Sequence, residues 1–258
     1  MQLEQTTNNF QKIIIFTKFL KFNYYIAAQI KHKQMIKKLR ILKIDFENPI
    51  RAYEIGKFRG AVIQNAGKEH ILFHNHVGED FRHSYPLIQY KCISDKAAVI
   101  CIEEGVDEIH HFFESNTRKF ILEDKETELK VKHLGVNSFT MQVWDRKFPY
   151  SIINWLALNS ENYSEFNKIE GLAQRCQFLE SLLTANIISF AKGIDWYIEK
   201  EVSVTVQNID KIGTIKYKNI QMQSFNLKFS TNVFLPDFIG LGKGASTGFG
   251  TVKQIKGK

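Results

Sequence analysis

Between Lys68 and Lys91 the chain gathers His70, His74, His76, Arg82, His83 and Tyr85, its densest run of proton-transferring and anion-binding side chains. Neutral and protonated imidazole coexist at roughly pH 6.5, so a histidine pair can supply a general base and a general acid together. His74 and His76 stand two residues apart; in an extended backbone both rings would project from one face and reach a single ligand. The same spacing is a metal-ligand pattern, which His70 with Glu79 or Asp80 would complete. A pair of surface histidines with no chemistry is the third reading, and the residues alone leave all three open.

A second cluster lies near the end of the chain, where five of the fifteen glycines fall between Gly240 and Gly250. Gly240, Gly242, Gly244, Gly248 and Gly250 permit positive φ and bring bare N–H groups close to a partner. Lys243 adds a cation, and Ser246 and Thr247 add hydroxyl donors, a combination suited to phosphate oxygens. Two familiar nucleotide loops are excluded. Gly242-Lys243 is followed by Gly244 rather than Ser or Thr, and after Gly240-Leu241-Gly242 there is no room for a helix and a second strand. A glycine-rich hairpin without a ligand is the competing reading.

Several elements must position these residues. Leu39–Phe46 alternates as a strand, with Leu42, Ile44 and Phe46 on one face and Ile41, Lys43 and Asp45 on the other. Asn48-Pro49 is expected to cap and open a helix in which Ile55, Phe58 and Val62 recur, until Asn65-Ala66-Gly67 stops it. Strands near Leu87–Cys92 and Ala97–Ile102 and a short helix around Val106–Glu114 follow. A closing strand near Phe120–Lys130 would complete a ferredoxin-like unit. His110 and His111 read as packing and surface residues in that helix, and Glu123–Glu128 as a solvated turn. A strand near Phe139–Trp144 opens the second half. Phe166, Ile169, Leu172, Cys176, Leu179, Leu183, Ile187 and Phe190 then step by three or four along one long helix. Val202–Val206 and Phe225–Phe229 alternate as half-exposed strands, and Thr251-Val252 begins another.

A net charge of +8 favours a polyanionic partner, because cations that neutralise phosphates release counterions. Cys92, Cys101 and Cys176 are widely spaced, which excludes a disulfide framework and a zinc ribbon and suits a reducing cytoplasm. Lys18, Lys21 and Asn23 interrupt the apolar run Ile13–Ile30, arguing against a membrane span, and Glu4 argues against a signal peptide.

The run Leu235-Pro236-Asp237-Phe238-Ile239-Gly240-Leu241-Gly242-Lys243-Gly244, with Gly248-Phe249-Gly250, resembles the C-terminal glycine-rich loop of the RAMP superfamily. It is most similar to that of the CRISPR-associated endoribonucleases that cut repeat RNA. Upstream, Phe58-Arg59-Gly60-Ala61, Leu72-Phe73-His74-Asn75-His76 and Tyr85-Pro86-Leu87-Ile88-Gln89-Tyr90-Lys91 resemble, in order, the N-terminal domain of the branch found with type I-B systems. The resemblance covers roughly residues 37–256. It implies an α+β protein of two tandem ferredoxin-like (RRM-like) domains with a C-terminal glycine-rich loop. The expected division is an N-terminal extension at 1–35, disordered or upstream of the native start, then domains at 36–135 and 136–258.

The implied reaction is metal-independent cleavage of repeat RNA, by 2′-hydroxyl attack leaving a 2′,3′-cyclic phosphate and a 5′-hydroxyl. His74 and His76 would share the two proton transfers, Tyr85 would orient sugar or phosphate, and Lys68 or Arg82 would offset charge. Many family members carry a catalytic histidine in the first helix, whereas Arg51–Asn65 contains none, so the loop pair must replace it; His83 is a substitute by position. Arg82, Lys91 and the loop residues Gly240, Gly242, Lys243, Gly244, Ser246, Thr247, Gly248 and Gly250 would hold RNA. No cofactor or metal is implied. The implied partners are CRISPR repeat RNA or crRNA and CRISPR effector subunits, for a cytoplasmic monomer or homodimer with no membrane partner. A non-catalytic crRNA-binding subunit and a metal-dependent hydrolase are the alternatives.

Overall fold

The computed structural model describes residues 36–74, 76–77, 80–81, 85–114, 119–122 and 125–256, so the expected N-terminal extension lies outside the described residues. The first unit runs β1 (Lys37–Pro49), α1 (Ile55–Ala66), α2 (Ile71–His74), β2 (His76–Val77), β3 (Asp80–Phe81), β4 (Ile88–Ile93) and β5 (Lys96–Ile102). Helices α3 (Glu104–Glu108) and α4 (His110–Glu114), the hairpin β6 (Lys119–Leu122) and β7 (Lys125–Glu128), and β8 (Val131–Met141) complete it. Its main sheet has the order β4-β5-β1-β8, entirely antiparallel, which is the ferredoxin-like arrangement.

The strict alternation of β1 makes this sheet two-faced. Leu42, Ile44 and Phe46 lie beneath α1 with Phe58 and Val62, and Phe46 meets Phe58 and Phe112 edge-on at 5.6 and 6.0 Å. Each fully buried ring or branched chain here contributes about 1.5–3 kcal/mol. Asn48 does not cap α1. Its side chain donates to Glu128 O and accepts from Lys130 N, tying the end of β1 to the exit of β7. The helix instead follows a 3-10 turn at Ala52–Glu54, where the Glu54 carboxylate accepts from Arg51 N at 2.7 Å. It ends at Gly67, whose φ of 106° no β-carbon would tolerate easily.

The closing strand also lies elsewhere than expected. Strands β6 and β7 pair with each other apart from the main sheet, and β8 supplies its edge, pairing Met141 to His133 against Lys37 to Asp45. The boundary expected between residues 135 and 136 therefore falls inside β8. The pairing of β8 with β1 thus takes the place expected of a strand near Phe120–Lys130.

The second unit comprises β9 (Val143–Trp155), α5 (Ser160–Lys168), α6 (Leu172–Gly193), β10 (Val204–Tyr217), β11 (Ile220–Val233) and β12 (Thr251–Gln254). Its sheet order, β10-β11-β9-β12, repeats the first. The single long helix expected from Phe166 to Phe190 is two helices, because the chain turns extended at Ile169 and Gly171. Between β11 and β12, where a ferredoxin-like unit places its second helix, the described chain has only a 3-10 turn at Ala245–Thr247 within the glycine-rich loop.

One core runs through both units. Leu39, Ile41, Leu87, Ile100 and Ile102, from the face of the first sheet away from α1, join Tyr150, Trp155, Phe190, Phe225 and Phe229. Among the described residues no helix is long and apolar enough to cross a membrane. The three cysteines are free thiols, with Cys101 buried in β5.

Candidate active site and RNA interface

His74 is the last residue of α2, a single turn that needs outside support for its terminal carbonyls. Two side chains supply it. The buried Tyr90 hydroxyl of β4 donates to Phe73 O at 2.9 Å, and the Arg59 guanidinium of α1 donates through Nη2 to His74 O. Burial raises the Tyr90 phenol well above the usual tyrosine range, so it remains a donor at any physiological pH. The His74 ring is held as well, with Nε2 2.8 Å from Lys68 O. A carbonyl oxygen can only accept, so Nε2 carries a proton, and the tautomer with its lone pair on Nδ1 is the one this contact selects.

His74 and His76 are therefore not on one strand: His74 closes a helix and His76 opens β2. The His76 side chain, Arg82 and His83 lie outside the described residues. Lys68 is exposed in the turn before α2, and the contact that joins it to His74 is its backbone carbonyl.

Tyr85 and Lys91 have a different task from the one expected. The Tyr85 hydroxyl is buried, donates to Gly240 O at 2.8 Å and accepts from Gln89 Nε2 at 2.9 Å. Gln89 in turn accepts from Gly240 N through Oε1 at 2.8 Å. Lys91, 1% exposed, donates to Ala245 O at 3.0 Å. Burial lowers its amino group to about 7, so it is a structural donor inside the protein rather than a phosphate ligand. Three residues of β4 and the segment before it thus clamp the glycine-rich loop to the first unit.

The glycines answer first to this close approach. A β-carbon on Gly250 would lie 1.9 Å from Leu241 O, and one on Gly240 would lie 2.8 Å from the Ala245 backbone. Both residues are buried, Gly240 N donates to Gln89 and Gly250 N donates to Asn154 O. They are therefore removed from the expected RNA contacts. Gly242, Gly244 and Gly248 take φ of 78°, 74° and 89° and remain half-exposed, as do Ser246 and Thr247, while Lys243 is exposed.

This rim meets the histidine helix at Arg59. Tyr217, at the tip of the β10–β11 hairpin, sits edge-on to Phe249 at 5.3 Å, and Lys243 Nζ lies 5.8 Å from its ring centre. Burial raises the Tyr217 phenol, and the nearby Arg59 charge opposes that shift. Arg59 Nε is enclosed without a hydrogen-bond partner among the described residues. The junction thus combines an oriented imidazole, an arginine, a lysine, hydroxyls and an aromatic ring. Arg59 and Tyr217 were not singled out from the sequence. Arg59 lay inside a quoted motif, but Tyr217 had no local signal.

Two ferredoxin-like units in tandem, joined through a glycine-rich loop on the last crossover, define a RAMP-type protein. Family models agree, the Cas6b N-terminal domain matching residues 37–140 and the Cas6b C-terminal domain residues 142–255. The chain belongs to the Cas6b family. A crystal structure of Cas6b is 26% identical and superposes with a TM-score of 0.75, covering 85% of this chain and 100% of that one. A second, of the CRISPR RNA processing endoribonuclease Cas6b, has the same identity and coverage with a TM-score of 0.64. An uncharacterized protein of Methanocaldococcus jannaschii is 29% identical over 115 residues, 44% of this chain and 77% of that protein.

Proposed function

We propose that this protein is an endoribonuclease that cleaves CRISPR repeat RNA in precursor transcripts to give mature crRNA. Membership of the Cas6b family and the likeness to a CRISPR RNA processing endoribonuclease support the substrate. The observation that supports the chemistry is the hydrogen bond between His74 Nε2 and Lys68 O, which fixes the ring and leaves the base role to Nδ1 in this reading. In this reading Nδ1 of His74 takes the proton of the ribose 2′-hydroxyl. The oxygen then attacks the adjacent phosphorus, and the 5′-oxygen leaves with a proton from His76. The products are a 2′,3′-cyclic phosphate and a 5′-hydroxyl, and neither step calls for a metal. Lys243, Ser246 and Thr247 hold the RNA backbone along the loop rim, and Tyr217 offers a face on which a base can stack.

The test is cleavage of repeat RNA in excess chelator by wild type and by the His74→Ala, His76→Ala double variant, with analysis of product ends. The expected result is a cyclic phosphate from wild type and a loss of about 10²–10⁴-fold or more in the variant, with RNA still bound. Binding without cutting by wild type would make the protein a crRNA-binding subunit. Activity that vanishes with chelator while the fold and RNA binding survive would make it a metal-dependent hydrolase.

A further inference from the structure

Apart from the His74 junction, the structure draws together three further potential ligands from three separate segments. His70 stands in the turn between α1 and α2, Glu108 ends α3 and His111 lies in α4. The donor atoms of all three fall within 4.8 Å of one another. Glu108 Oε2 is 3.6 Å from His70 Nδ1 and 3.8 Å from His111 Nε2. The two imidazoles stack at 3.6 Å with their planes 22° apart.

We propose that His70, Glu108 and His111 form a Zn²⁺ site that fastens the turn leading into α2 to helices α3 and α4. Three observations support it. Zinc bonds of about 2.0–2.1 Å in a tetrahedron hold their ligand atoms about 3.3 Å apart, so the two contacts to Glu108 close by a few tenths of an ångström, while the two stacked rings turn apart until both planes meet at the ion. Two imidazoles and one carboxylate form a donor set that zinc accepts, with water at the fourth position. The electrostatics also call for a cation. Glu69 and Glu114 flank the same rings at 3.7 and 3.4 Å, and among the described residues no lysine or arginine pairs with Glu69, Glu108 or Glu114.

A second grouping, His110, His111 and Glu114, shares His111. It is the weaker competitor, because the side chains of His110 and Glu114 are 57% and 67% exposed. The zinc here ties these segments together and stands apart from the cleavage chemistry. It anchors the residue that stands four positions before His74 and contributes nothing to proton transfer.

The test is calorimetric titration of ZnCl₂ into untagged, chelator-stripped full-length protein. One ion per chain is expected, together with a rise in melting temperature. Glu108→Gln and His111→Ala should each weaken binding by at least about tenfold and abolish the thermal shift, while Glu114→Gln should not. X-ray absorption on the zinc-loaded wild type should report two imidazoles and one carboxylate, and this keeps the proposal testable if a variant loses its native circular dichroism. Wild type that takes up no zinc, variants that bind it as tightly, or a different ligand set would overturn the site.

Discussion

The histidine segment and the glycine-rich loop are both built for phosphate chemistry by composition, yet the fold treats them in opposite ways. The loop is embedded: Gly240 and Gly250 are buried, and Tyr85, Gln89 and Lys91 hold its backbone from the other unit. The histidine segment is carried on a one-turn helix and two-residue strands, held at its carbonyls by Tyr90 and Arg59. In the proposed reading, a loop that presents backbone to a long polyanion gains from rigidity over its whole length, whereas a base needs only its own ring fixed, as the bond to Lys68 O fixes His74.

The contrast can be broken first at Gly250. Gly250→Val forces a β-carbon against Leu241 O at a φ of 59°; we expect a loss of about 3 kcal/mol or more in urea unfolding, with cleavage failing only because the fold does. Lys91 sharpens it next. Its amino group is lowered from 10.5 to about 7, so the unfolded chain binds more protons between those values and stability rises with pH across that window. Wild type should gain on the order of 2 kcal/mol between about pH 7 and 9, and Lys91→Met should flatten the rise. At the histidine segment, Tyr90→Phe leaves Phe73 O without its donor at a cost of about 1–2 kcal/mol. There the cleavage rate should drop while RNA affinity holds, the reverse of a loop lesion. The smallest effect belongs to Lys243→Ala: repeat affinity should weaken a few-fold, and the slope of log affinity against log salt should fall by about 1.

Much of the fold was legible because burial imposes periodicity. The alternation of β1 assigned Leu42, Ile44 and Phe46 to one face, and the helical spacing of Leu179, Leu183, Ile187 and Phe190 marked α6. The fourth strand was misplaced because β8 has few buried residues to betray it. Asn48 was misread because a side chain that caps a helix and one that bridges two strands look alike in sequence.

The sequence by itself determined that histidines and glycines of this kind occur in this order, and with them the family. Only the tertiary structure decided which of them are buried and which stay accessible. Tyr85 and Lys91 are polar and lie in a catalytic-looking stretch, but the second unit covers that face of the first sheet, and burial turns them into loop anchors. Arg59 and Tyr217 come from elements 158 positions apart and meet near one charge only because the loop folds back onto α1. Solvation and long-range contact, unlike residue type and spacing, are not local properties of a chain.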